Sequence, residues 1–379
     1  MSVRIVGVGL YRVALPLVHE FESSSHRKAM LEHVLVRLRG ADGTEGWGEI
    51  ASPSAPYFGA ETVETCWTIA RGHVMPAVLG AEWERPEDLF ARMARIRGNN
   101  FARAGFDVAA WDLWAMSRGV PLAVAIGGLN RAVPAGVSLG IEPTIDALLE
   151  QVERHIAGGY RRVKLKIKPG WDVVPAKAVR EAFPDVAVHV DANGIYEDDR
   201  ESAGIMALLD DLGLAMIEQP HAPRDLLAHA ALQGRIGTAV CLDESVESKD
   251  DLETALALGA CRALNVKVSR LGGLTPAIAV VHRAAEAGVL AWCGGMHEFG
   301  IGRAANVALC ALIGPGYPSD VSAGEKYYAE DLVTPAITAT DGLVTVPDAP
   351  GIGHRIVPER LLRSLRDSAE FGEIDPLTP

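Results

Sequence analysis

The chain has no long apolar run. Its most hydrophobic windows are broken by glycine, proline or charge before the roughly 18 residues that a membrane span requires, so neither a transmembrane helix nor a membrane partner is expected. The opening residues, MSVRIVGVGLYRVALPL, alternate as a strand does and lack the cationic stretch and apolar block of a signal peptide. Cysteine is sparse: Cys66, Cys241, Cys261, Cys293 and Cys310 are scattered, odd in number and flanked by apolar residues. That pattern excludes a disulfide scaffold and favours buried free thiols in a reducing cytoplasm, and no Cys-x-x-Cys or zinc-ligand spacing occurs. Positive charge is in deficit, with 36 Lys and Arg against 49 Asp and Glu and a net charge of −13. Nucleic acid and anionic membrane surfaces are therefore repelled. No Gly-rich phosphate fingerprint follows the first strand, which counts against a dinucleotide fold.

What is present is a globular composition, 49% apolar and 22% charged over 379 residues, enough for one large or two ordinary domains. From Val133 to Ala323 a unit recurs: a short β-branched run, a turn, then an amphipathic stretch rich in Ala and Leu. Strands are expected at Val133–Gly140, Arg162–Ile167, Val186–Val190, Ala215–Glu218, Ala239–Asp243, Ala263–Val268 and Leu290–Cys293, with a helix after each. Alternation at roughly 25 residues points to parallel βαβ units that close into a barrel. The first part reads as a separate α+β unit: strands Ile5–Leu15 and His33–Arg39 joined by the polar segment Glu20–Lys28, then helical sequence to about Ser117. The tail carries short strands (Ala336–Thr338, Leu343–Val346) and a helix near Pro358–Arg366, too little to fold alone. The expected division is 1–127 capping domain, 128–325 barrel, and 326–379 returning to the cap.

Charged residues gather at the C-terminal ends of the apolar strands: Lys164 and Lys166 on strand two, Asp191 (with Asn193 after it) on three, Glu218 on four, Asp243 on five, and Lys267, with Arg270 just beyond, on six. In a parallel barrel these ends share one face, so three carboxylates converge between lysines. Converging buried carboxylates repel unless a cation lies among them, and three carboxyl oxygens with water and substrate oxygens suit Mg²⁺. Lys164 and Lys166, two apart on a strand, share a face, and the charge of one lowers the proton affinity of the other. Taken singly, each has a plainer reading. Asp243 fits the cap of the following helix, the two lysines fit a surface edge strand, and His297 with Glu298 fits an ordinary loop as well as a substrate contact. Cys241, Cys293, Trp111 and Trp114 read as core, and Glu197-Asp198-Asp199 as a solvated loop.

These residues resemble the enolase superfamily, in its muconate-lactonizing subgroup, where a lysine or histidine base works with metal ions that stabilise an enediolate. The likeness covers essentially the whole chain and is nearest to the o-succinylbenzoate synthase and N-succinylamino acid (N-acylamino acid) racemase branch. It is carried by KLKIKPGWD (164–172), CLDES (241–245), WCGGM (292–296) and GIGRAAN (300–306). The resemblance implies an α/β fold, a modified (β/α)7β TIM barrel with an N-terminal α+β capping domain completed by the C-terminal segment. It implies Lys166 and Lys267 as acid/base groups, Lys164 as their neighbour, and Asp191, Glu218 and Asp243 as ligands of Mg²⁺ (Mn²⁺ or another divalent ion in its place). Substrate contacts would come from Tyr57, Ser138, Asn193, Arg270, Gly295, Met296 and Glu298. The implied reaction is proton abstraction beside a carboxylate of a small molecule, followed by dehydration in menaquinone synthesis or by racemisation, in a cytoplasmic homo-oligomer (dimer or octamer). Two segments depart from the branch: His297-Glu298-Phe299 replaces an aliphatic–Glu–Thr/Ser run, and Glu20–Met30 carries unusual charge at Glu20, His26 and Arg27. A dipeptide epimerase would need an Asp-x-Asp pair where this chain reads Asp320-Val321-Ser322.

Overall fold

Seven short parallel strands form one curled sheet in a computed structural model that describes residues 2–22 and 27–377. In chain order they are Val137–Leu139, Arg162–Lys166, Ala187–Asp191, Met216–Glu218, Ala239–Leu242, Ala263–Val266 and Leu290–Cys293, each hydrogen-bonded to the next. Between the first and seventh strands runs an irregular eighth segment. Asp320 N donates to the Cys293 carbonyl (2.8 Å), Gly136 N to Ser319 O (2.8 Å) and Ser319 N to Pro134 O (3.0 Å). Helices follow the strands and pack outside them, the last being Gly300–Ile313. Five begin at a side-chain cap of the expected chemistry: Thr144, Asp172, Asp199, Asp225 and Ser248 each accept a hydrogen bond from a backbone N–H of the first turn. Ser248, not Asp243, caps the helix after strand five, which leaves Asp243 for another role.

The capping sheet is antiparallel. Val3–Glu22 pairs with Arg27–Gly40 in a hairpin that extends further than the sequence suggests, to Glu22 opposite Arg27. His26 lies outside the described residues. Glu45–Ile50 adds a third strand, and helix Asn100–Arg118 presses on it closely enough that a Cβ at Gly48 would overlap the Gly105 carbonyl. On the other edge Leu365–Gly372 pairs with the first strand, from Gly7 opposite Gly372 to Val13 opposite Leu365.

Three expectations are corrected. Val133–Gly140 is not one strand: Ala132–Pro134 pairs with Leu343–Thr345, and only Val137–Leu139 enters the barrel. The chain breaks because Pro134 has no N–H to donate and because a Cβ at Gly136 would occupy the place of the Arg162 guanidinium. The tail strand expected at Ala336–Thr338 forms at Ala339–Thr340, since the Ile337 carbonyl already accepts Gly324 N (2.9 Å). The last helix ends at Ser364 and the chain continues as the edge strand Leu365–Gly372, which takes its pairing from the capping sheet rather than from its own weakly patterned sequence.

Candidate active site

Strand periodicity and a shared direction bring the charged strand ends together. One oxygen each from Asp191, Glu218 and Asp243 lies within 4.8 Å of the others, and all three residues are fully buried. Beneath them Met216, Cys241, Ala263, Trp292 and Tyr317 form an apolar plug inside the barrel, so the charged layer faces only the capping domain. All five cysteines are buried and free.

Each carboxylate is held by a cation or an amide. Lys166 Nζ donates to Asp191 Oδ2 (2.5 Å) and to Asn193 Oδ1 (2.8 Å). Lys164 Nζ lies 3.1 Å from Asp320, 3.3 Å from Glu218 and 3.4 Å from Asp191. Lys267 Nζ donates to Asp243 Oδ2 (2.8 Å), and the Arg270 guanidinium bonds the other oxygen. Asn265 Nδ2 donates to Glu218 Oε1 (2.6 Å), while Glu218 Oε2 makes no hydrogen bond and lies 3.3 Å from both Lys164 Nζ and His189 Nε2. A buried carboxylate oxygen that makes no hydrogen bond, beside two other carboxylates, belongs to a donor set that a divalent cation would complete. The three acids could therefore hold such an ion.

The charges shift one another. Burial works against ionising Asp191, but Lys166 and Lys164 outweigh it and hold the carboxyl below its ordinary value. Burial likewise opposes a charge on Lys164, yet Asp320, Glu218 and Asp191 raise it well above the usual lysine range. Glu244, which accepts from Asn193 Nδ2 (2.8 Å), is pushed up to about 8 by burial and then by Asp243 and Asp191.

Above the triad opens a cavity floored by Lys164, Lys166 and Lys267. Ser138, Asn193, Gly295, Met296 and Glu298 line it, with Tyr57 at the mouth, 63% exposed. Arg270 does not. Its guanidinium is buried behind Asp243, donating also to the carbonyls of Val246 (2.9 Å) and Asn265 (2.6 Å), so it reaches a substrate only through Asp243 and Lys267. His297 sits in the left-handed region (φ 63°), stacked on Tyr327 and edge-on to Phe21, and is a cavity wall. Asn193 (φ 48°) and Gln219 (φ 40°) share that conformation, so backbone strain clusters around the strand ends.

The sequence analysis assigns no individual role to four residues in or beside the site. Asp320 accepts from Ser138 Oγ and pairs with Arg162 (2.7 Å) and Lys164. Its signal was Arg162, a guanidinium in a barrel strand that demands an acid. Asn265 stands two residues before Lys267 and therefore on the same face. Phe21 and Lys28 reach the cavity as cross-strand partners in the capping hairpin.

The family description "Mandelate racemase / muconate lactonizing enzyme, N-terminal domain" matches residues 6–127, and "Enolase C-terminal domain-like" matches 147–360. The chain is 44% identical over 356 residues to an o-succinylbenzoate synthase from Geobacillus kaustophilus, covering 94% of each chain. It is 44% identical over 350 residues to an N-succinylamino acid racemase from Thermus thermophilus, covering 92% of this chain and 94% of that one. An enolase-superfamily structure from Listeria innocua superposes with a TM-score of 0.94 at 34% identity, covering 98% of this chain and 99% of the other. With its strand-end carboxylates and lysines in this arrangement, the chain belongs to the mandelate racemase/muconate lactonizing enzyme family of the enolase superfamily.

Proposed function

We propose that this enzyme removes the proton alpha to a substrate carboxylate and expels a β-hydroxyl, forming o-succinylbenzoate. The observation that carries the proposal is the pair of cavity-facing lysines on strand ends two and six, flanking a buried triad of acids on strands three to five. Mg²⁺ held by Asp191, Glu218 and Asp243 would supply positive charge that acidifies the α-carbon. Lys166, positioned by Asn193, takes the proton and delivers it to the departing β-hydroxyl, which leaves as water. Lys164, fixed as a cation by Asp320, stabilises the charge that develops on the carboxyl group as the enediolate forms. The apolar plug below and the capping hairpin above keep bulk water from the reacting carbon. In the dehydration Lys267 need only stabilise charge.

A second reading, racemisation of N-succinylamino acids, is favoured by the placement of Lys267, which could return a proton to the opposite face. A dipeptide epimerase fits less well: Ser322 stands in place of the second acid, and Asp320 is already engaged by Arg162, Lys164 and Ser138. The same reading takes residues 1–127, 128–325 and 326–379 as cap, barrel and returning segment, and the protein as a cytoplasmic homo-oligomer, whose mass sedimentation would give. No helix among the described residues is long and apolar enough to cross a membrane.

The test is a side-by-side assay of the Mg²⁺-loaded protein. One arm offers the cyclohexadiene precursor of succinylbenzoate; the other offers N-succinylamino acids in D₂O with NMR of the α-position. Dehydration much faster than exchange establishes the synthase. Exchange without dehydration establishes the racemase, and inertness toward both rejects the two readings together.

A further inference from the structure

We infer that Lys28 binds a second carboxylate of the substrate, remote from the reacting carbon, and so selects dicarboxylates over monocarboxylates. The inference rests on the proposed function for its reaction, and on the cavity for its chemistry. Lys28 stands opposite Phe21 in the capping hairpin, and both line the cavity whose floor holds Lys164, Lys166 and Lys267. The hairpin is tied to the barrel beside them. Ile141 N donates to the Glu22 carbonyl (3.0 Å), Val18 N to the Tyr327 carbonyl (2.9 Å), and Lys168 pairs with Glu22 (3.2 Å).

The cavity's other cations are engaged. Lys164 faces three carboxylates, Lys166 holds Asp191 and Asn193, Lys267 holds Asp243, and Arg303 donates to the carbonyls of Ser322 and Glu298. The Lys28 ammonium makes no hydrogen bond or ion pair with the described residues. Its ammonium is pushed down to about 8, by burial first and then by Lys166 and Lys267, with Glu298 as the attracting charge. Glu298 is itself taken by Met296 N (2.8 Å). A poorly solvated ammonium facing other cations is unfavourable until an anion enters. A ligand whose first carboxylate lies over the triad and whose body crosses to the hairpin would bring that anion to Lys28. A succinyl group has the required second carboxylate.

The experiment uses the full chain loaded with Mg²⁺, as wild type, Lys28→Met and Lys28→Arg. α-Proton exchange in D₂O is compared for the N-succinyl and N-acetyl forms of one amino acid, and binding of glutarate is compared with that of butyrate by calorimetry. In the wild type glutarate should bind at least about tenfold tighter than butyrate, as a charge-assisted hydrogen bond implies. Lys28→Met should abolish that preference and lower kcat/KM for the N-succinyl substrate about 10- to 100-fold, leaving the N-acetyl substrate within about twofold. Lys28→Arg should keep most of the preference. A wild type that does not prefer glutarate, a preference that survives Lys28→Met, or equal losses on both acyl substrates would overturn the assignment. If neither amino acid derivative exchanges even in the wild type, the racemase reading fails, and the calorimetric arm still decides Lys28.

Discussion

Glu49 belongs to the capping sheet, yet it starts a barrel helix. Helix Gly300–Ile313 has no side-chain cap of its own at Phe299; instead Glu49 accepts Phe299 N–H and Gly302 N–H, both at 2.8 Å, and shares a hydrogen bond with His33 (2.6 Å). All of these groups are buried. Replacing Glu49 by Ala leaves two helix-terminal donors and the His33 ring without their acceptor and removes an anion from the positive end of the helix. At about 1.5–3 kcal/mol for each hydrogen bond to a charged acceptor, the two helix-terminal bonds alone come to roughly 3–6 kcal/mol. Glu49→Gln preserves the shape but turns an NH₂ toward one of the two donors, so it should lose more than half of that. Calorimetric melting at fixed metal and protein concentration should show a fall of roughly 4–8 °C for Glu49→Ala, since the unfolding entropy of a chain this long gives only about 1.3 °C per kcal/mol. Because the cavity-wall residues His297 and Glu298 immediately precede this helix, KM should rise more than kcat falls. A melting point within 2 °C of the parent for both variants would refute the idea that the cap domain fixes this end of the barrel.

Three other outcomes follow from the geometry. Lys166→Met should suppress α-proton exchange by roughly 10²–10⁴-fold, whereas Lys267→Met should spare dehydration more than racemisation; equal collapse of both activities refutes separate roles for the two lysines. Chelation should abolish turnover, with recovery on adding Mg²⁺, and should lower stability by about 2.7 kcal/mol relative to protein held at a hundredfold excess over Kd; turnover that persists in chelator overturns the metal assignment. Asp112 is buried, accepts only Trp47 N–H and Ile352 N–H among the described residues, and is pushed up to about 7 by burial. A folded pKa above the unfolded value means the native state holds the proton longer, so this group's contribution is full near pH 4 and is lost as pH rises to 7, by up to about 4 kcal/mol. Asp112→Asn cannot titrate, so its stability deficit against the parent should narrow over that window in urea titrations; a constant or widening gap contradicts the reasoning.

The sequence exposed the site where the geometry is repetitive and concealed it where it is not. Strand ends two to six obey two rules, a side-chain period of two and a common direction, and these suffice to bring Lys164, Lys166, Asp191, Glu218, Asp243 and Lys267 together. Asp320 follows neither rule. It sits on an irregular segment whose position depends on how the sheet curls, and only the closed structure brings it to Lys164. Glu49 was hidden for a similar reason: its helix lies 250 residues away. Leu365–Gly372 reads as weak strand sequence because an exposed edge strand buries little, and its partner strand supplies the order. Lys28 lies in the Glu20–Met30 segment, whose unusual charge is legible in the sequence, but only the hairpin pairing shows that it turns inward beside Phe21.

The charge balance around the triad explains why so costly a cluster is kept. Asp191, Glu218, Asp243 and Asp320 are buried against Arg162, Lys164, Lys166, Lys267 and Arg270. With Lys166 deprotonated to act as a base, the four remaining cations match the four carboxylates, and Glu244, with its carboxyl pushed up to about 8, adds little negative charge near neutral pH. A divalent cation held by the triad would contribute two positive charges, which the one substrate carboxylate lying over the triad only half offsets. Proton transfer to Lys166 leaves the total unchanged but places a second negative charge on the substrate carboxyl, next to Lys164 and the triad, where the positive surplus lies. The cluster is therefore better matched after proton transfer than before it, which is the condition for lowering a barrier rather than merely tightening binding. Apolar residues of similar volume would stabilise the fold at least as well as these buried pairs. What they could not supply is a fixed positive field, already oriented before the reaction, at the carbon that must lose its proton.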